Sequence, residues 1–218
     1  MKTEIIAILD RSGSMMGLER DTIGGFNSFV EEQKKVEGEC NVTLVLFDND
    51  YDVLYEARAL NEVPELTGKE YFARGSTSLY DAIGKSSQTA GARFAAMTEA
   101  DRPEKVIVLI ITDGYENTSR EFTREQIKNM IQHQEEKYAW EFVYLGANQD
   151  AFAVGQQFGM KMSNVATYAA SEVGTRGAYA AFADKTTSLR SGFDANAVAM
   201  AASVAENTQK EENAVSNA

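Results

Sequence analysis

Asp10, Ser12 and Ser14 stand at alternate positions in the stretch Ile5-Ile6-Ala7-Ile8-Leu9-Asp10-Arg11-Ser12-Gly13-Ser14-Met15. One carboxylate and two hydroxyls so spaced offer three hard oxygens from one loop. Such a set suits a small divalent cation such as Mg²⁺ and leaves coordination positions open. The five apolar residues before Asp10 read as a strand buried on both faces. A loop at the carboxyl end of a central strand is where ligands bind in open α/β sheets. The competing reading is a Ser/Gly-rich turn that merely closes the strand.

Other residues that could do chemistry are few. Asp113, in Thr112-Asp113-Gly114, follows the second wholly apolar strand, residues 105–111; alone it reads as a turn aspartate before a glycine. The loop Arg74-Gly75-Ser76-Thr77-Ser78 opens a helix. Within it Ser78 and Asp81 have the spacing of a capping pair, so Asp81 is read as structural. Aspartates at 48, 50 and 52 invite a calcium-loop reading, but the sixth and twelfth positions hold Val53 and Ala59 where glycine and glutamate are needed. A solvated hairpin turn is the better account. Arg11 is assigned to solvent or packing rather than to a phosphate. His133 is the sole histidine, which removes histidine triads and His-rich zinc sites. No Walker-type glycine loop is present. Cys40, the only cysteine, excludes an intrachain disulfide and reads as a small buried hydrophobe.

The 33 acidic against 21 basic residues, a net charge of -12, make a field that argues against nucleic acid and anionic membrane as partners. No apolar run reaches the length of a membrane span. The first strand starts within a few residues of the N-terminus, which is read as leaving no room for a signal peptide. Cytoplasm is the expected compartment.

The elements that must position these residues follow from periodicity. Residues 18–36 show Ile23, Phe26, Phe29 and Val30 at helical spacing, with Gly24 and Gly25 expected to allow close approach of this helix to the sheet. Val42–Phe47 and Tyr51–Tyr55 read as a hairpin, hence an antiparallel edge. A polar connection over 60–73 leads to the helix after Ser78. Thr123 with Gln126 matches a capping box for a helix bearing Ile127, Met130, Ile131 and Tyr138. Trp140–Leu145 and Val165–Tyr168 read as strands, with a short helix capped by Asp150 between them. A last core helix carries Tyr179, Phe182, Thr186 and Leu189 on one stripe. Residues 1–190 are expected to form the domain. In 191–218, Phe193, Ala197, Met200 and Val204 share a narrow helical face, and the residues from Gln209 onward are expected to be disordered. Wholly apolar strands separated by helices argue for a mostly parallel sheet covered on both faces, a doubly wound α/β class.

The D-x-S-x-S run at Asp10–Ser14, the Gly75-Ser76-Thr77-Ser78-Leu79 loop and Thr112-Asp113-Gly114 together resemble the metal-ion-dependent adhesion site of the von Willebrand factor type A domain. The likeness covers roughly residues 4–190. It implies six strands with the third antiparallel at an edge. It implies that Ser12 and Ser14 bind a metal directly, that Asp10 and Asp113 act through the first or second shell, and that Thr77 binds or releases the ion. Mg²⁺ or Mn²⁺ is expected ahead of Ca²⁺. The open position would take an acidic side chain, Glu or Asp, of a partner protein. Without disulfides or a signal sequence, the chain looks more like stand-alone microbial or phage members than extracellular adhesion proteins. No switch helix of the integrin kind is recognisable.

The leading expectation is a non-enzymatic, metal-dependent protein-binding module. The alternatives are a Mg²⁺-dependent hydrolase or phosphoryl-transfer enzyme, and a scaffold subunit whose metal is structural. The enzyme would need a positioned base, and only Asp10 and Asp113 are near.

Overall fold

Every residue of the first strand, β1 (Thr3–Asp10), is buried. A computed structural model describes residues 1–192 and 199–216. It places β1 at the centre of a six-stranded sheet with β2 (Cys40–Phe47), β3 (Tyr51–Ala59), β4 (Lys105–Thr112), β5 (Glu141–Ala147) and β6 (Val165–Tyr168), in the order β3-β2-β1-β4-β5-β6. All neighbours pair in parallel except β2 and β3, whose antiparallel hairpin forms one edge. The fold is thus the doubly wound α/β sheet that the strand patterning predicts.

Among the described residues six α-helices surround it: α1 (Glu19–Lys34), α2 (Leu79–Ala96), α3 (Arg124–Tyr138), α4 (Ala151–Gln157), α5 (Glu172–Arg190) and α6 (Met200–Ser216). Alternation along β1 divides the core. Ile5, Ala7 and Leu9 meet Phe26 and Phe29 of α1 and Phe182 of α5 on one face; Ile6 and Ile8 meet Ile83 of α2 and Ile127 and Ile131 of α3 on the other. Full burial of each such side chain contributes about 1.5–3 kcal/mol. A continuous apolar run with no polar alternation is therefore what a strand covered on both sides must carry.

Three local expectations change. The connection over 60–73 is not simply polar: Leu60, Val63, Leu66 and Tyr71 enter the core beneath α1. Gly25 permits a helix–helix contact instead of a helix–sheet one, since a Cβ there would come within 2.2 Å of the Tyr179 ring of α5, whereas Gly24 faces open space. The segment from Gln209 onward, expected to lack structure, continues as α6 through Ser216. Met200 and Val204 bury the inner face of α6. Asn207 Nδ2 donates to Asp184 Oδ2 over 3.0 Å, and Arg176 pairs with Glu211 at 2.9 Å, fastening α6 to α5. Phe193 and Ala197 of the proposed stripe lie outside the described residues.

Register brings the functional loops together. Asp10 sits beside Phe47, and Leu9 beside Ile111, so β1, β2 and β4 end level with one another. The loops after Asp10, Phe47 and Thr112 consequently open on the same rim.

Candidate functional site

Ser12 Oγ and Ser14 Oγ lie 3.1 Å apart, and Ser14 Oγ donates to Asp113 Oδ1 over 2.5 Å. The serine spacing follows from the chain: a single 3₁₀ turn over Gly13–Met15 starts directly after Ser12, with Met15 buried as its anchor. Asp10 is fully buried at the strand end. Its Oδ1 accepts the Ser12 N–H over 2.7 Å and its Oδ2 accepts the Thr112 hydroxyl over 2.5 Å. Both oxygens are therefore engaged by the loop they organise. Burial pushes the Asp10 carboxyl up to about 6; the Thr112 and Ser12 hydrogen bonds oppose that rise and the nearby Asp113 charge adds to it. Asp113 is also raised, again by burial, with the Ser14 hydrogen bond pulling the other way.

Thr77 completes the group. A Cβ at Gly114 would come within 2.8 Å of Thr77 Oγ1 and 3.3 Å of Ser14 Oγ, so both hydroxyls line the same small cradle. Glycine at 114 keeps that cradle open. Thr77 is held by a two-way backbone clamp: its N–H donates to Asn117 Oδ1 over 3.0 Å, and its carbonyl accepts the Asn117 N–H over 3.0 Å. Asp10, Ser12, Ser14, Thr77 and Asp113 thus share one rim of the sheet. Among the described residues no cluster of three or more His, Cys, Asp or Glu could hold a metal ion, so any cation here would depend on the hydroxyls.

No family model matches the sequence, and no curated protein matches it either. Solved structures do match in shape. A von Willebrand factor type A protein from Catenulispora acidiphila superposes with a TM-score of 0.58 at 12% identity, over 85% of this chain and 43% of that one. The fold is of the von Willebrand factor type A kind. The vWF domain of the type V pili tip protein Mfa5 from Porphyromonas gingivalis gives 0.59 at 10% identity, over 88% of this chain and 96% of that one. Manganese-loaded TRAP protein from Plasmodium vivax gives 0.56 at 13% identity, over 77% and 68%. The chain spans less than half the length of the Catenulispora protein. Identities this low carry the type A fold alone.

Within this type A fold several side chains act differently from what the sequence suggests. Asp81 is structural, but not as a partner of Ser78. It accepts the backbone N–H groups of Arg120, Glu121 and Phe122 at 2.9–3.0 Å. Burial pushes its carboxyl up, and those three donors more than reverse this, leaving it below the usual range. Ser78 instead pairs its hydroxyl with Thr118 at 2.8 Å.

Asp48 is fully buried, not part of a solvated turn, and Arg11 is 3% exposed, which fits the packing alternative rather than the solvent one. The two pair at 3.0 Å, which places the variable residue of D-x-S-x-S under the loop. The Tyr71 hydroxyl donates to the Asp10 carbonyl, and Gln149 Nε2 donates to the Thr112 carbonyl over 3.0 Å. Asp48 had a legible signal, a carboxylate ending the strand next to β1. Tyr71, alone in an aperiodic connection, had none.

Proposed function

We propose that the chain is a metal-dependent protein-binding module in which one Mg²⁺ or Mn²⁺ ion is held at the Ser12–Ser14–Thr77 rim. The observation that carries this is the cradle at Gly114, which the Ser14 and Thr77 hydroxyls both line beside the Ser14–Asp113 hydrogen bond. Its donors are all hard oxygens, which fits a small divalent cation better than a soft or thiophilic one. Ser12, Ser14 and Thr77 would bind the ion directly, and Asp113 and Asp10 would stabilise it through the loop and through water. When bound, the ion supplies a Lewis-acidic coordination position for one anionic oxygen.

The residues of the chain do the rest. Asp10 fixes the direction of the Ser12 amide and thereby the serine spacing. Asn117 sets Thr77. Two carboxylates leave a dication near neutrality, so a partner carboxylate from Glu or Asp remains attractive to it. Around the rim Met16, Phe72, Tyr115 and Phe152 are exposed apolar side chains on or beside the loops that follow β1, β3, β4 and β5. They offer a partner an uncharged contact surface around the ion. That the Plasmodium vivax TRAP protein, of similar fold, is manganese-loaded supports the reading.

Calorimetric titration of Mn²⁺ and Mg²⁺ into the wild type and into Ser12→Ala/Ser14→Ala tests it. One ion per chain is expected for the wild type and a large loss for the double variant. Absence of binding at millimolar ion would overturn the metal reading. Pull-downs with and without EDTA, beside turnover assays on phosphate esters, then separate a binding module from a hydrolase. Capture that survives EDTA, or turnover that requires Ser12 and Ser14, would count against it.

A further inference from the structure

The Asp48 carboxylate lies between two guanidinium groups, each from a different half of the site. Arg11, inside the serine loop, donates from Nε to Asp48 Oδ2 over 3.0 Å. Arg74, three residues before Thr77, donates from Nε to the same oxygen over 2.6 Å. Oδ1 accepts the Asp50 N–H over 2.6 Å, so neither carboxylate oxygen is spare. Backbone bonds run the same way. The Ser78 N–H donates to the Asp48 carbonyl over 2.9 Å, the Arg74 N–H to the Arg11 carbonyl over 2.7 Å, and the Gly13 N–H to the Gly75 carbonyl over 3.0 Å.

A buried ion pair is weak evidence for stability, because desolvation offsets much of its Coulomb energy and apolar packing would do as well. What apolar packing lacks is direction. Two planar guanidiniums converging on one oxygen fix the relative position of the two loops that carry them. The hairpin tip is therefore an anchor for both halves of the oxygen cradle, though none of its side chains is among the proposed ligands.

We propose that Asp48 is a positioning residue for the cation site: by tying Arg11 to Arg74 it holds the Ser12–Ser14 loop against the Thr77 loop and so sets the affinity for a divalent ion. This rests on the metal-binding reading given above. Asp48→Asn keeps the shape and the acceptor for the Asp50 N–H, but withdraws the charge the two arginines share. Arg11 then retains Asp52, at 2.5 Å, and the ion pairs left to Arg74 are contacts of 3.5 Å to Asp50 and Asp52.

The experiment combines Mn²⁺ calorimetry with amide exchange on the metal-free protein, for wild type, Asp48→Asn, Arg74→Gln and Arg74→Lys. Asp48→Asn should weaken Mn²⁺ about tenfold or more, the range expected when a group behind the ligands is lost. Arg74→Gln should weaken it less, and Arg74→Lys should recover part of that loss. In the metal-free variants the Gly13 and Ser78 amides should exchange faster together, while the β1 and β4 amides hold. Arg74 is 41% exposed, so Arg74→Gln keeps the test alive should Asp48→Asn fail to fold. Folded variants that bind Mn²⁺ as tightly as wild type, or unchanged exchange at Gly13 and Ser78, overturn the proposal. A wild type that binds no Mn²⁺ would defeat the metal reading instead, and the exchange data would still decide whether Asp48 ties the loops.

Discussion

Ser14 Oγ donates to Asp113 Oδ1 over 2.5 Å and so joins two loops whose residues are 99 positions apart in the chain. The bond lies on the protein surface, where a hydrogen bond to a charged group adds little to stability because water competes for both partners. Its value is geometric: it holds a hydroxyl and a carboxylate side by side in the orientation a shared cation would use.

Ser14→Ala should therefore separate binding from folding. Thermal stability is expected to change by no more than about 1 kcal/mol, as for most exposed substitutions. Mn²⁺ affinity should fall by at least about tenfold, as when a group that orients or binds a metal is removed. Parallel calorimetry and thermal melts check both halves. A large loss of stability with intact Mn²⁺ binding would reverse the assignment.

Metal removal should leave the domain folded. The core on both faces of β1 is complete without any ion, and the site lies at the rim of the sheet. A ligand of the native state contributes only RT ln(1 + [L]/Kd), about 2.7 kcal/mol at a hundredfold excess over Kd. EDTA should lower the melting temperature by that linkage and keep the transition cooperative. Loss of cooperativity in EDTA, followed by circular dichroism, would mark the metal as structural.

Much of this arrangement is legible in the sequence because it rests on local rules. Unbroken apolar runs specify β1 and β4 as central strands, and a carboxylate at each strand end marks the rim. The role of Arg11 is not legible, since a buried guanidinium and a surface one have the same sequence neighbours. Only the level ends of β1 and β2 bring Arg11 over the hairpin. Only the extension of α6 past Gln209 is missed, for another reason. Its polar composition has little apolar surface to bury by itself, and α5 reaches it through the Arg176–Glu211 ion pair.

Glu135 supplies a pH signature away from the site. Burial pushes its carboxyl up to about 7; the nearby Lys161 opposes the rise and Glu141 adds to it. A carboxyl raised on folding favours the native state most when protonated. That contribution is full below its unfolded value, near 4.5, and is lost as pH rises through about 7. After allowance for solvent screening the change is about 1–2 kcal/mol. Urea midpoints at pH 5 and pH 8 should differ more for wild type than for Glu135→Gln, where this component disappears. Equal pH dependence in the two proteins would show that the carboxyl is not raised.

The partner's chemistry follows from the rim. As a hypothesis, a protein carrying Glu or Asp should bind through that carboxylate, with uncharged or basic surface around it, because the chain's net charge of -12 repels a broadly acidic face. Exposed Met16 and Tyr115 flank the serine and Asp113 loops and should supply apolar contact. Tyr115→Ala should therefore weaken capture of a partner while leaving Mn²⁺ binding unchanged, and EDTA should abolish capture. Rising salt should weaken it moderately, since screening reduces attraction at exposed charges. Asp10→Ala is a poor test, for its carboxylate also fastens the Ser12 amide and the Thr112 hydroxyl. Ser12→Ala/Ser14→Ala is cleaner, since it removes hydroxyls and leaves that anchor in place. Should a genuine partner bind the double variant as tightly as the wild type, the contact lies off the rim and the carboxylate hypothesis is wrong.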